Sequence, residues 1–334
     1  MSTGREDPKI VRFGVGGEFR RIRSFLESLP AAPGVRVGPG DDAAVLDGGI
    51  VLSTDMAVEG VHFRLDWVTP GEVGYRACAA ALSDLAGMAA RPLGVLVSLA
   101  VPDPGGQSSL PIMSGVRELL DRLKVPLLGG DLTRSPGPVV LDVVVVGQAD
   151  HPLLRRGARP GDELWVTGRL GAAAAAVGLW ERGIEPPPGL REPFVRPTPR
   201  LAEARYLVSA LGATSGMDLS DGLAGDGSHL AAASDVDLVL DTWRIPLHPE
   251  ATSKGPEIAL HGGEDFELLV TLPPDPPKAE VENFRKRFDL SLTRIGSVGP
   301  GLGLRIRDTP KEEPRTPERG GWDHFNAAEE EEQG

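Results

Sequence analysis

The sequence predicts a two-domain protein of the α/β or α+β class. Three observations carry this. The chain has 334 residues, and domains commonly run to about 100–200 residues each. Short apolar runs alternate with amphipathic or Ala-rich segments in both halves. Hydrophobic residues make up 40% and charged residues 25%, an ordinary globular balance.

The elements follow in order. Gly17-Glu18 opens an amphipathic helix through Phe19, Ile22, Phe25, Leu26 and Leu29, closed by Pro30 and Pro33. Short strands are expected near Val35–Val37, Ala43–Leu46 and Ile50–Ser53, with Asp47-Gly48-Gly49 as a hairpin turn. Glu72–Ala90 reads as an Ala-rich helix ended before Pro92, and Leu93–Val101 as a buried strand. Ser109–Leu123 reads as a helix; Pro126–Gly130 and Val139–Gly147 read as strands around a turn at Asp131–Pro138. The loop from Arg155 to Asp162 marks a change in texture. It divides the chain into residues 1–150 and 151–326, with 327–334 as an acidic, disordered tail. Beyond it, strands are expected at Glu163–Thr167, Val236–Leu240, Glu267–Leu272 and Thr293–Val298. Helices are expected at Gly171–Glu181, Pro199–Leu211, Leu219–Ala233 and Ala279–Phe288, and Glu185–Thr198 reads as Pro-rich connection.

Composition removes several function classes. The net charge of -13 opposes nucleic-acid binding, which needs cationic contacts to phosphates. Cys78 is the only cysteine, which excludes a disulfide within the chain and argues against a Cys-based zinc site. Met1–Lys9 lacks a signal-peptide apolar core, and Val139–Gly147 and Ala172–Leu179 are too short to span a bilayer. The cytoplasm is the expected compartment, with no membrane partner.

The informative feature recurs. An apolar run enters a turn of Gly, Ser or Thr, and the turn delivers an acid: Gly40-Asp41-Asp42, Ser53-Thr54-Asp55, Gly129-Gly130-Asp131, Asp218-Leu219-Ser220-Asp221-Gly222 and Gly262-Gly263-Glu264-Asp265. Any one of these Asp residues also fits a turn or helix N-cap; the set together points to a metal. Asp84 stands inside the Ala-rich helix, where it either meets a cation or faces water. If the Asp218–Asp221 segment is helical, its two acids share a face. Carboxylates without Cys and with little His suit hard cations, and magnesium with phosphates fits best. Calcium is the alternative, but no EF-hand loop is present. Bound metals would then supply the charge that lets so acidic a site hold ATP. There is no Walker-type phosphate loop, kinase catalytic loop or nucleophile elbow. Gly168-Arg169-Leu170-Gly171 is either an anion site at a helix N-terminus or a plain helix start.

These blocks in this order resemble thiamine-monophosphate kinases, of the superfamily that includes aminoimidazole ribonucleotide synthetase. Further matching stretches are Gly17-Glu18-Phe19, Asp42-Ala43-Ala44, Glu59-Gly60-Val61-His62-Phe63, Leu82-Ser83-Asp84-Leu85-Ala86-Gly87-Met88, Arg155 with Gly157, Glu264-Asp265-Phe266-Glu267-Leu268 and Gly321-Trp322-Asp323-His324-Phe325. The match spans residues 14 to 326; Ala90, where the family more often has Gly, and the Glu-rich tail depart from it.

The resemblance implies ATP-dependent phosphorylation of thiamine monophosphate to thiamine diphosphate. It implies an N-terminal mixed-sheet α/β domain that pairs in a homodimer, with ATP near that junction, and a C-terminal α+β domain. By resemblance Asp42, Thr54, Asp55, Asp84, Asp131, Asp218 and Asp221 would bind several magnesium ions, and Thr54, Gly130, Asp131, Arg155 and Ser220 would contact ATP. Asp131, Asp221 and Arg155 would carry the catalytic roles, and His62, Glu264 and Trp322 would contact the thiamine. His62 and Arg155 also fit plain loop positions, and Trp322 a packing anchor. Another ATP-using enzyme of the superfamily, or a nucleotide- or metal-binding protein without turnover, is the competing reading.

Overall fold

The computed structural model describes residues 17–26, 32–104 and 106–321; Trp322 and the tail at 327–334 lie outside them. Helix α1 (Gly17–Leu26) precedes a first sheet. Its strands are β1 (Val35–Val37), β2 (Ala44–Leu46), β3 (Ile50–Val58), β4 (Arg91–Val101), β5 (Leu127–Arg134) and β6 (Val140–Gln148), in the order β1-β2-β3-β6-β4-β5. All neighbours are antiparallel except β4 and β5, which run parallel. A parallel pair needs a crossover, and α3 (Ser109–Leu123) supplies it.

Helix α2 (Pro70–Gly87) is the centre of the molecule. Thr69 and Glu72 form a reciprocal capping box, with Pro70 in the first turn. Thirteen residues from Val73 to Gly87 are buried, because α2 packs on β3, β6 and α3 and also against α5 (Pro188–Val195), α6 (Leu201–Leu211) and β8 (Ser215–Asp218) of the second half.

That second half contains β7 (Glu163–Thr167), α4 (Ala172–Trp180), α5 (Pro188–Val195), α6 (Leu201–Leu211), β8 (Ser215–Asp218), α7 (Leu223–Ser234) and β9 (Asp237–Asp241). It continues with α8 (Glu257–His261), β10 (Leu268–Leu272), α9 (Lys278–Phe288), β11 (Leu292–Gly299) and β12 (Gly303–Arg307). The second sheet runs β12-β9-β11-β7-β10-β8, antiparallel except for β12 with β9. One hydrophobic core joins Val51, Leu82 and Leu141 of the first sheet region to Phe194, Leu207 and Phe284 of the second. No helix among the described residues is long and apolar enough to cross a membrane.

The structure corrects several expected elements. Strand β3 runs on to Val58 and β5 to Arg134, so Asp55 and Asp131 sit within strands rather than in turns. The segment expected as helix from Leu219 begins at Leu223; Asp218 ends β8 and Asp221 lies in the following turn. The Pro-rich connection holds α5, whose Pro188 starts the helix where a missing N–H costs nothing.

Candidate active site

Side chains alternate across a strand, and β3 uses both faces. Ser53 turns toward α2: its hydroxyl donates to Asp84 Oδ2 at 2.5 Å and to the Asp42 carbonyl at 3.2 Å. Asp55 shares that face. Thr54 points the other way and donates to Asp142 Oδ1 of β6 at 2.5 Å. Met56, Asp142, Ser98 and Asp131 lie in register across β3, β6, β4 and β5, so Asp131 belongs to the same outer face as Thr54.

On the inner side, carboxylates from both halves converge. Asp218, Asp55 and Asp42 are close enough to raise the pKa of Asp84, and Asp42 that of Asp218. Burial is the first cause throughout. It lifts Asp218 to about 7, with Asp42 adding to the rise. It raises Asp42 against the pull of Arg155 and raises Asp84 well above the carboxylate range. Asp55 is lifted to about 6 by burial, with Arg76 opposing. Asp41 reaches about 7 through burial and its neighbour Asp42. Thus Asp84, part-buried and bonded by Ser53, faces this cluster.

Arg155 clamps the first two acids. Its Nε and Nη2 both bond Asp42 Oδ1, at 2.8 and 2.7 Å, and its backbone N–H donates to Asp41 at 3.1 Å. Asp42 Oδ2 is buried and has no hydrogen-bond partner. A buried orphan carboxylate oxygen is costly; next to further acids, it is the oxygen a cation would take. Gly87 permits this arrangement: a Cβ there would lie 1.9 Å from that same Oδ2. Among the described residues no group of three or more His, Cys, Asp or Glu side chains is placed to hold a metal ion by itself.

The 218–221 turn is fixed by a residue the sequence reading passed over. Asp226, 1% exposed, accepts the N–H groups of Ser220 and Asp221, each at 3.1 Å. Its position in a Gly- and Ala-rich helix, like that of Asp84, was the available signal. The same turn pairs with the acidic loop before β10. Glu264 N–H donates to the Ser220 carbonyl and Phe266 N–H to that of Leu219, both at 2.8 Å. A Cβ at Gly263 would stand 2.1 Å from the Ser220 oxygen, so only glycine fits there.

His62 follows β3, and its Nδ1 accepts the Val58 N–H at 3.1 Å. Glu264 pairs with Arg76 of α2. Gly130 and Asp131 lie on β5, at the sheet edge and apart from the buried cluster. Gly168–Gly171 precedes α4, but the N–H of Gly171 is taken by both oxygens of Asp265, at 2.9 and 3.0 Å. In the cleft of about 630 Å³ beside it, Arg200 is likewise matched by Glu267. The helix start is already capped by the Asp265 carboxyl, whose pKa burial raises well above its usual value.

Two family models match this chain: AIR synthase related protein, N-terminal domain, over residues 40–149, and AIR synthase related protein, C-terminal domain, over residues 159–309. Fold and site therefore define a two-domain member of the AIR synthase related class. Thiamine-monophosphate kinase of Mycobacterium tuberculosis (strain CDC 1551 / Oshkosh) is 37% identical over 284 residues, covering 80% of this chain and 84% of that one. The kinase of Bacillus subtilis (strain 168) is 33% identical, covering 92% and 99%. A solved structure, AaThiL complexed with AMPPCP and TMP, superposes with a TM-score of 0.78 at 29% identity, covering 93% of this chain and 97% of that chain. The chain belongs to the thiamine-monophosphate kinase family, and it is a kinase.

Proposed function

We propose that the chain transfers the γ-phosphoryl group of ATP directly, in line, to thiamine monophosphate, giving thiamine diphosphate and ADP. The observation that carries this is the convergence of buried Asp42 and Asp218 with part-buried Asp55 and Asp84 from both halves, with Asp42 Oδ2 unpartnered. The relatives' names and the ATP-analogue and TMP complex of the similar structure support the substrates.

The acceptor phosphate is largely ionised near neutral pH, its second pKa being about 6. It needs no strong base; His229, buried nearby, is held neutral with a pKa of about 3, by burial and then by Arg155. An acceptor oxygen bonds to the γ-phosphorus while the bond to the β–γ bridging oxygen breaks, and ADP leaves with that electron pair. The obstacle is the approach of two anions. Asp42, Asp55, Asp84, Asp218 and Asp221 would hold magnesium, whose charge offsets the phosphates. Arg155 keeps Asp42 aimed by occupying Oδ1 alone. Ser220 is set in its turn to meet ATP, and His62 and Glu264 stand for the thiamine end.

The purified protein with ATP and magnesium is expected to convert thiamine monophosphate to thiamine diphosphate, read by chromatography. No product above the enzyme-free control, with ATP binding intact, would overturn the assignment.

We also assign the β5 edge and the outer face of the first sheet to a homodimer. Strand β5 is a sheet edge with every residue exposed, including Leu127, Leu128 and Leu132; proteins seldom leave such an edge bare. Thr54, Gly130 and Asp131 lie on this face or edge, so their nucleotide and metal roles belong near the junction of two copies. Leu128→Asp is expected to shift the protein to a monomer in sedimentation and to depress activity. An unchanged dimer, or a wild-type monomer, would rule this surface out.

A further inference from the structure

We propose that Arg76 is a positioning residue that sets the acceptor-substrate end of the site by holding Glu264 across the seam between the two domains. The inference rests on the reading of the site given above.

Arg76 lies on α2, two turns before Asp84, and its side chain is only 6% exposed. A guanidinium removed from water must have its donors matched, and here the matches all come from the second half. Nη1 donates to the Phe194 carbonyl of α5 at 2.5 Å. Nη2 pairs with Glu264 Oε1. The guanidinium stacks over the Phe194 ring, 3.8 Å from its centroid, with the Phe266 ring at 5.7 Å. Asp55 feels both partners: Arg76 lowers its pKa and Glu264 raises it. Arg76 therefore stands between a residue of the metal side and a residue of the thiamine side.

The backbone of the acidic loop shows why such a hold is needed. Glu264 has φ +70° and Phe266 φ +49°. Residues with a Cβ enter this left-handed region at a cost and stay there only when their surroundings over-determine the conformation. Two backbone bonds to Ser220 and Leu219 fix the loop's path. They leave the Glu264 side chain free to rotate; the ion pair with Arg76 removes that freedom. Oε1 is then engaged, no hydrogen bond among the described residues engages Oε2, and the side chain is 31% exposed. A pre-aimed carboxylate with one open oxygen suits a ligand bearing an amine donor or a cationic ring, and thiamine has both. Fixing it beforehand removes an ordering cost from binding.

Arginine is required by geometry. Lysine is a point charge and cannot serve a carbonyl and a carboxylate while stacking on a ring. Arg76→Met is expected to raise KM for thiamine monophosphate about tenfold while moving KM for ATP less than about twofold. Arg76→Lys should fall between Met and wild type. In a Glu264→Gln background, Arg76→Met should add less than about twofold, because the interaction it removes is already gone. Calorimetric binding of thiamine monophosphate without ATP gives the same cycle free of turnover. Equal effects on both KM values, or full additivity in the double variant, would overturn the inference. If Arg76→Met does not fold, the Arg76→Lys and Glu264→Gln pair decides by the same criterion. Wild-type protein that fails to bind thiamine monophosphate would overturn this inference and the proposed function together; binding without coupling overturns this inference alone.

Discussion

Asp218→Asn is expected to lower kcat by roughly two to three orders of magnitude and, at the same time, to raise the melting temperature of the metal-free protein near pH 7.5. The two effects have one cause. Asp218 is 4% exposed, and its pKa of about 7 comes first from burial and then from Asp42. At pH 7.5 the folded protein therefore holds a desolvated charge against like charges. A neutral amide of the same shape relieves that repulsion but cannot supply the anionic oxygen a magnesium site needs. Stability and activity should move in opposite directions, the signature of a site under local electrostatic strain. Loss of both would show Asp218 to be structural. Activity within a few fold of wild type would remove it from the metal set.

That strain explains why Arg155 occupies the cluster. Among the described residues it is a buried cation directly paired to Asp42, and it offsets part of the repulsion without consuming Oδ2. Breaking such a buried pair from either side costs about 3–5 kcal/mol, so Arg155 has a structural duty at the domain seam besides any contact with ATP. Asp226 acts through backbone N–H groups. The cluster is thus held by residues that would not themselves meet the metal.

Much of this was legible in the sequence, for reasons that differ by element. Ser109–Leu123 and Glu163–Thr167 have the predicted bounds, because each has an unambiguous apolar period and clear flanks. The acidic blocks were readable as a candidate set because the same residue types recur, but the structure gathers only Asp42, Asp55, Asp84 and Asp218 and leaves Asp131 on the outer face. Strand β3 was cut short for a physical reason: Thr54 and Met56 are exposed on one face while Ser53 and Asp55 meet α2 on the other. Polar residues on both faces hide the two-residue period that marks a strand. For the same reason sequence alone could not separate Asp131 and Thr54 from the buried acids; the face of a strand residue depends on register. Helix α5 was missed because Pro188 and Pro193 read as breakers, although Pro188 opens the helix and the eight-residue span tolerates Pro193. Arg76 and Asp226 went unnoticed because their partners are Glu264 and Phe194, far along the chain, and two backbone amides, which no motif displays.

Between about pH 6.5 and 8, metal-free protein is expected to lose thermal stability as pH rises, and magnesium is expected to restore it. An unfolded Asp titrates near 3.9, whereas folded Asp41 and Asp218 titrate at about 7 and Asp42 and Asp84 are also raised. In this window the unfolded chain has already released those protons and the folded chain has not, so the unfolded state binds fewer, and stability falls with pH. The contribution is complete below the unfolded pKa and vanishes as pH passes the folded value. His229 works the other way: folded at about 3 against about 6.5 unfolded, it adds stability as pH rises, but that gain ends near pH 6.5. Glu72, with its pKa lowered, matters only under acid conditions. The window above pH 6.5 therefore isolates the raised carboxylates. A cation bound only by the folded state stabilises as RT ln(1 + c/Kd), where c is its free concentration, and Kd falls as those carboxylates ionise. Melting curves in chelator and in magnesium should diverge as pH increases, and the divergence should shrink in Asp218→Asn. A pH-independent gap, or metal-free stability that rises through this window, would show that the buried acids do not carry the metal.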